Sequence, residues 1–470
     1  MNKKKLIVIG AGPGGYAAAF LAADLGIEVT LIDNEKNPGG VCLYKGCIPS
    51  KALLHSAKVI SESENAKEFG IEFKKPEINL SKLREWKNNT VDKLTGGLGQ
   101  LCKQRKVNYI QGNAKILNNE SIELLKENGD NEILYFDNLI IATGSHPFMI
   151  PGVNIESPLF MDSTAALEIE DIPKTLLVIG GGYIGLEIGT VYATLGSKVT
   201  IAEMLPEILY GADNDLTAVL NKRIHKLFET IMLNTKVIET KETGKGIKVV
   251  LEDKDKNRSE KMFGKILVAV GRKPNSKNFG LENTKVEIDE KGFIKVDNQM
   301  RTAEKNIFAI GDVAGEPMLA HKASHEGRTA VEVIAGHKSV FEPKAIPAVV
   351  FTDPEIAWCG LTEKEAKLQN KKVTVAKFPW AASGRAMTLG NTDGLTKLII
   401  DPETERILGV GIAGPGAGDL IAEGVLAIEM GANATDLKLT IHPHPTLSET
   451  VMEAAEVFFG QSTHIYRPKK

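Results

Sequence analysis

The sequence predicts an α/β chain: two parallel-sheet units of one design, followed by a C-terminal α+β unit. Three observations carry this expectation. The first is an internal repeat, LIVIGAGPGGYAAAFLAADLGIEVTLID at 6–33 and LLVIGGGYIGLEIGTVYATLGSKVTIAE at 176–203. The second is a recurrence of short apolar runs ending near glycine: NLIIATGSHP (138–147), KILVAVGRKPN (265–275) and NIFAIGDVAG (306–315). The third is a change of pattern after 346. There the strand-like segments VTVAKF, LTKLIID and ILGVGIAG precede an apolar-periodic helix near 418–430 and the segment HPHPTLSE.

Each repeat opens with an apolar run read as a buried strand. Gly-x-Gly-x-x-Gly follows, as Gly10, Gly12 and Gly15 and again as Gly180, Gly182 and Gly185. A helical stretch and a second strand come next, ending in Asp33 or Glu203, 23 residues after the first glycine in both copies. The first glycine permits the tight turn, the second lets backbone approach a pyrophosphate, and the third lets helix and strand pack closely. The helix start offers free N–H groups and a positive dipole end to phosphate. The acid is placed to accept hydrogen bonds from ribose hydroxyls. Two such units predict two Rossmann-like dinucleotide-binding domains and two dinucleotides. For the second, a 2′-phosphate would need an arginine and would be repelled by Glu203. No arginine lies between the start of that repeat and Arg223, so NAD is expected rather than NADP.

The three further glycine-ended runs read as buried strands whose ends face a ligand; for KILVAVGRKPN a plain strand and turn is the competing reading. Asp312 is different, because an acid at a buried strand end needs partners. Residues 50–105 alternate helical patterns with polar turns, and 105–136 read as a strand-rich meander. No low-complexity linker interrupts the chain, so the domains are expected to pack tightly.

Composition narrows the function classes. The 470 residues allow two to four domains. A net charge of -3 with mixed signs points to neither nucleic acid nor membrane. The 45 glycines fall largely in clusters at the ends of apolar runs. Four cysteines, Cys42, Cys47, Cys102 and Cys359, are too few for a secreted disulfide framework. Met1 to Lys5 before an apolar run resembles the start of a secretory leader, but Gly10, Pro13, Gly14, Gly15 and Asp24 break that run. No uninterrupted apolar stretch reaches the roughly 18–20 residues of a membrane span. A cytoplasmic protein is expected.

Cys42 and Cys47 stand in GGVCLYKGCIPSK, shortly after the first repeat. With four residues between them they can close a small disulfide if Gly46 and the helix start bend the chain. Cys47 falls near a helix N-terminus, where a thiolate is stabilised. Lys51, four residues on, adds positive charge on the same face. A zinc site would need about four ligands, and His55 is the one candidate nearby, so no metal is expected. Two structural thiols in a core remain the other reading. Cys102 and Cys359 read as buried packing residues.

Near the C-terminus, His444 is held by Pro445, whose peptide bond can be cis. Glu449 can turn back to a ring nitrogen, fixing the tautomer and raising basicity. A capped helix start is the plainer reading, since Thr446-x-x-Glu449 fits a capping box, and the two readings can hold together. His442 reads as structural.

Cys-x4-Cys-Ile-Pro-Ser-Lys after an N-terminal Gly-x-Gly-x-x-Gly resembles the pyridine nucleotide-disulfide oxidoreductases that carry the active disulfide in the FAD domain. The resemblance runs from 5 to 465. HPHPTLSE (442–449) and PMLAHK (317–322) resemble the dihydrolipoamide dehydrogenase branch. The cysteine pair that mercuric reductases and large thioredoxin reductases add at the C-terminus has no counterpart after Cys359.

The resemblance implies the following roles. Gly10, Gly12, Gly15 and Asp33 match the FAD ADP site, Gly112 the adenine-side loop, and Thr143, Gly144 and Ser145 the second FAD strand end. Lys51 matches the lysine beside flavin N5, with Glu187 as its ion-pair partner. Asp312, Met318, Leu319, Ala320 and His321 match flavin-side contacts. Gly180, Gly182, Gly185, Glu187, Glu203, Val237 and Gly271 match the NAD site. Cys42 and Cys47 match the redox disulfide, Cys42 exchanging with substrate and Cys47 facing the flavin. His444 and Glu449 match the base and its orienting carboxylate, supplied by the other subunit of a homodimer. The domains implied are 1–145 for FAD with the disulfide, 146–275 for NAD, 276–345 completing the FAD domain, and 346–470 for dimerisation.

The implied reaction is oxidation of protein-bound dihydrolipoamide with NAD. Lipoyl-bearing domains of 2-oxoacid dehydrogenase or glycine cleavage complexes would be the partners, since no lipoyl domain is read in this chain. Two departures stand out. Tyr44 and Lys45 replace the Asn-Val common between the cysteines, and Ser324-His325 stand where an acidic pair is usual.

Overall fold

The computed structural model describes residues 4–466 apart from 128, 154 and 155. Residues 1–3 of the basic start, and 467–470, lie outside the described residues.

The apolar runs that are too short for helices form buried strands. Lys5–Ile9, exposed only at its first residue, lies within a seven-stranded sheet. Its order is 307–309, 138–141, 5–9, 28–33, 108–116, 121–126, 131–135. The first five strands run parallel and the last two continue antiparallel, which is the meander read at 105–136. Strand Ile307–Ala309 returns the chain to this first sheet after the second repeat has been completed elsewhere. Helices Pro13–Asp24 and Ala320–Ala335 pack together, with Val8, Leu31, Ile140 and Phe308 in the same core. Glycines bring the helices close, since a Cβ on Gly327 would lie 2.6 Å from the Gly14 carbonyl oxygen.

The second repeat forms a five-stranded sheet in the order 230–232, 198–202, 175–179, 265–268, 160–161, parallel throughout. A three-stranded antiparallel sheet of 236–243, 246–252 and 258–263 packs beside it. Ser145–Pro147 pairs antiparallel with Arg272–Pro274, so a short ribbon joins the two points where the chain crosses between parallel-sheet units.

The C-terminal part is a five-stranded antiparallel sheet in the order 348–350, 356–360, 407–413, 395–400, 374–379. Helices Ala417–Met430 and Glu449–Phe458 cover it, and Trp380, Phe378, Leu398, Ile412 and Val451 fill its core. Leu426 and Met430 of the first of these helices remain exposed.

An ionic cluster fastens this unit to the second parallel-sheet unit. Lys397 Nζ, on a side chain 1% exposed, lies 2.6 Å from Asp213, 2.8 Å from Asp215 and 2.9 Å from Glu363. Those three acids are the grouping among the described residues whose carboxylates could surround a metal ion. The Lys397 ammonium already occupies their centre, and Lys377 pairs with Asp215 and Glu363 from the side.

Candidate active site

The two glycine loops share one geometry. Gly10 and Gly180 have φ of +97° and +110°, and a Cβ on them would lie 2.2 and 2.4 Å from the carbonyl oxygens of Ala142 and Ala269. Only glycine tolerates both constraints. The third glycines seat each helix on its loop, because a Cβ on Gly15 or Gly185 would come within 1.8 or 2.2 Å of the oxygen of Gly10 or Gly180. At the second glycines the space is open: nothing lies nearer than 4.0 Å at Gly12, and nothing within 4 Å at Gly182. Both glycines are N-caps without a side-chain cap. Each loop therefore presents uncapped helix N–H groups and a clear approach for an anion, as a dinucleotide pyrophosphate requires.

The acids ending the second strands are fixed in a way the sequence did not reveal. Asp33 accepts N–H groups of Ala11 at 2.6 Å and Glu35 at 3.0 Å. Glu203 does the same with Gly181 at 2.6 Å and Leu205 at 2.7 Å. Each carboxylate thus braces its own glycine loop while keeping lone pairs for a ribose. Burial pushes the Asp33 carboxyl upward, against the lowering effect of its backbone donors.

A cavity of about 770 Å³ runs from the first glycine loop to the cysteine pair. Gly10, Gly12, Asp33, Cys42, Cys47, Lys51, Gly112, Thr143, Gly144, Ser145, Glu187, Asp312, Met318 and Ala320 all line it. Gly15 lies buried beneath the loop. Three details differ from expectation. Gly112 lies within strand Asn108–Ile116 rather than in a loop. Leu319 and His321 do not line the cavity, and the His321 ring instead meets the Pro347 carbonyl at 2.9 Å. Val237 and Gly271 lie outside this cavity with the second loop; Gly271 has φ +121° and open space around it.

Arg272 was not singled out by the sequence. Its Nε donates to Ser145 Oγ at 2.7 Å and a terminal nitrogen to the Ser145 carbonyl at 2.7 Å. Ser145 Oγ in turn donates to Asp312 at 2.5 Å. Asp312 thus has one partner within the chain, besides the flavin-side contact that the resemblance implies for it. The available signal was a charge directly after a buried strand, the same signal that marked Asp312.

Cys42 lies within a short helix, Gly40–Lys45, and Cys47 opens the next, Cys47–Asn65. Both carry free thiols in this structure. The hydrogen bond from Cys42 to Cys47 pulls the Cys47 thiol down to about 7, with Lys51 adding to that pull against burial and the Glu187 carboxylate. The same bond, together with burial, pushes Cys42 well above the usual thiol range. Lys51 Nζ lies 2.8 Å from Glu187, which also accepts from Ser50 Oγ at 3.1 Å. Tyr44 bonds with Asn37 and Lys45 with Glu35 at 2.7 Å, and Lys45 also lines the cavity. Cys102 and Cys359 are buried.

His444 is 72% exposed, with Nδ1 2.9 Å from Glu449 Oε1. The His444–Pro445 peptide is cis. The reciprocal capping box is not formed: Glu449 accepts the Thr446 N–H at 2.7 Å, but Thr446 Oγ1 donates to the Pro443 carbonyl. The helix starts only at Glu449. Burial opposes ionisation of Glu449, yet the Thr446 N–H and His444 hold its carboxyl below the usual range. Nε2 of His444 is thus the nitrogen left for chemistry. His442 is tied at both nitrogens, to Thr440 and to Glu423, as a structural histidine would be.

Two dinucleotide loops, the first opening onto the cavity that holds a thiol pair and its cationic neighbour, define a nucleotide-dependent dithiol oxidoreductase. Residues 4–327 match the pyridine nucleotide-disulphide oxidoreductase family and 346–455 its dimerisation domain, and the chain belongs to that family. It is 49% identical to a dihydrolipoyl dehydrogenase of Vibrio parahaemolyticus, covering 99% of this chain and 98% of that one. A dihydrolipoyl dehydrogenase of Geobacillus stearothermophilus is 46% identical over 98% of this chain and 97% of its own length. Among solved structures, the HOCl-induced flavoprotein disulfide reductase RclA of Escherichia coli superposes with a TM-score of 0.84 at 26% identity, over 95% and 98% of the two chains. LpdA of Mycobacterium tuberculosis shares the fold, with a TM-score of 0.89 at 24% identity over 96% and 99%.

Proposed function

We propose that this chain oxidises dihydrolipoamide to lipoamide with NAD, acting as a homodimer on lipoyl groups carried by other proteins. The observation that carries the reading is the asymmetric thiol pair: Cys47 lowered beside Lys51, Cys42 raised, both on the cavity that begins at the first glycine loop. The reaction consumes a dithiol and NAD and yields a cyclic disulfide, NADH and a proton.

His444, in its neutral form and oriented by Glu449, takes a proton from one substrate thiol. The resulting thiolate attacks Cys42 in the oxidised Cys42–Cys47 pair; a new S–S bond forms and Cys47 leaves as the thiolate that Lys51 stabilises. The second substrate sulfur then attacks the first, its proton passing to the leaving Cys42, which closes lipoamide and frees Cys42 as a thiol, while the proton held by His444 is released to solvent. Two electrons now rest on the cysteine pair. Bound FAD and NAD supply the redox chemistry by which they depart. The open second glycines, with Asp33 and Glu203 behind them, suit one dinucleotide at each loop, and the first loop shares its cavity with the thiols. His444 is not among the residues lining the thiol cavity of its own chain, and the resemblance to the family assigns it as base to the partner subunit.

The lipoyl carriers proposed are those of 2-oxoacid dehydrogenase or glycine cleavage complexes, and the location proposed is the cytoplasm. No helix among the described residues is long and apolar enough to cross a membrane. The test is NADH formation by purified protein given dihydrolipoamide and NAD, beside glutathione and NADP. Turnover of glutathione in preference to dihydrolipoamide would replace the proposed substrate.

A further inference from the structure

Lys51 forms the wall between two cavities. One is the cavity of the cysteines; the other, of about 240 Å³, is lined by Lys51, His55, Lys58, Arg223 and Phe351 among others. Phe351 follows strand Ala348–Val350 of the C-terminal unit. Its N–H donates to Glu187 Oε1 at 2.9 Å, while Lys51 takes the other carboxylate oxygen at 2.8 Å. Its ring covers the ammonium, with Lys51 Nζ 4.5 Å from the ring centre. Within the chain Phe351 is 37% exposed.

We propose that Phe351 is a positioning residue for the redox centre: its N–H orients Glu187, and its ring holds the Lys51 ammonium beside Cys47. This deepens the function proposed above and rests on it for the meaning of Lys51. A lysine on a flexible stem pays rotamer entropy to stay in one place. The Glu187 carboxylate fixes the ammonium by one ionic contact, and the Phe351 ring adds a cation–π contact that confines it further. Any non-proline substitution keeps the N–H bond to Glu187 and removes only the ring. The two contributions can therefore be separated.

The experiment reads Cys47 ionisation directly. The groups acting on Cys47 are Cys42, Lys51 and Glu187; the phenols of Tyr16 and Tyr183, on the two glycine-loop helices, also face it. In Cys42→Ser protein retaining its bound cofactor, the alkylation rate of Cys47 is followed against pH, with and without Phe351→Leu. Phe351→Met is measured beside it, so that loss of folding in one variant leaves the other to decide. Loss of the ring should slow alkylation at neutral pH by about two- to five-fold and move the midpoint upward. Phe351→Tyr, which restores an aromatic face, should leave the profile unchanged. An unchanged profile in a folded Leu or Met variant overturns the proposal, as does an equal shift in Phe351→Tyr. No substrate is needed, so failure to turn over dihydrolipoamide would sink the proposed function and leave this result readable.

Discussion

Lys51 Nζ and Glu187 Oε2 are 2.8 Å apart, and the lysine is 32% exposed while the glutamate is 4% exposed. The two come from different parallel-sheet units, so a redox residue and an interdomain contact are one interaction. The buried carboxylate also accepts from Ser50 and from the Phe351 N–H. Glu187→Ala strands these donors and should cost about 2–4 kcal/mol in urea unfolding. Glu187→Gln, which keeps an acceptor, should cost less. Equal losses would mean that the carboxylate acts by charge alone.

Nucleotide choice is proposed to rest on Glu203, which the N–H groups of Gly181 and Leu205 hold in place. A 2′-phosphate on the second dinucleotide would meet a carboxylate that cannot swing aside. Glu203→Ala should narrow the NAD preference in kcat/KM by about 10–100-fold, equivalent to roughly 1.4–2.8 kcal/mol. An unchanged ratio would place the discrimination elsewhere.

The thiol pair predicts a pH dependence. With Cys47 held near 7 its thiolate is already half formed at neutrality. Alkylation of the reduced protein should rise through that pH, while Cys42, held far higher, stays unreactive there. Lys51→Met removes a lowering charge, so the Cys47 midpoint should move up and the neutral-pH rate fall. A midpoint that moves down would contradict the role given to the ammonium.

Loss of the base should act on thiol chemistry alone. His444→Ala should slow dihydrolipoamide oxidation about 10²–10⁴-fold. Electron exchange between NADH and bound flavin needs no thiol deprotonation and should change little. Comparable losses in both half-reactions would indicate general damage to the fold.

The sequence made the glycine loops legible because their geometry is local. Gly10, Gly12 and Gly15 form one turn between strand and helix, so their spacing carries the information, even though the closest neighbour of Gly10 is the distant Ala142 carbonyl. The cysteine pair and the His444–Glu449 contact lie five residues apart in sequence and were legible for the same reason. What stayed hidden depends on residues far apart. Arg272 reaches Ser145, Phe351 reaches Glu187, and Lys397 gathers Asp213, Asp215 and Glu363. None of these follows a periodicity. The misplaced helix start at Thr446 has a local cause: Thr446 Oγ1 donates to Pro443, leaving the capping-box pattern with one half of its bonds.

The proposed two-chain site of Cys42 and His444 is tested most directly by complementation. Inactive His444→Ala and inactive Cys42→Ser proteins are mixed under conditions that exchange subunits, and dihydrolipoamide oxidation is measured. In a hybrid dimer one site carries both defects and the other carries neither. Statistical mixing should then restore about a quarter of wild-type activity, as two-fold symmetry requires. If exchange is verified and no activity returns, His444 does not serve the partner's Cys42, and the base must be sought within the same chain.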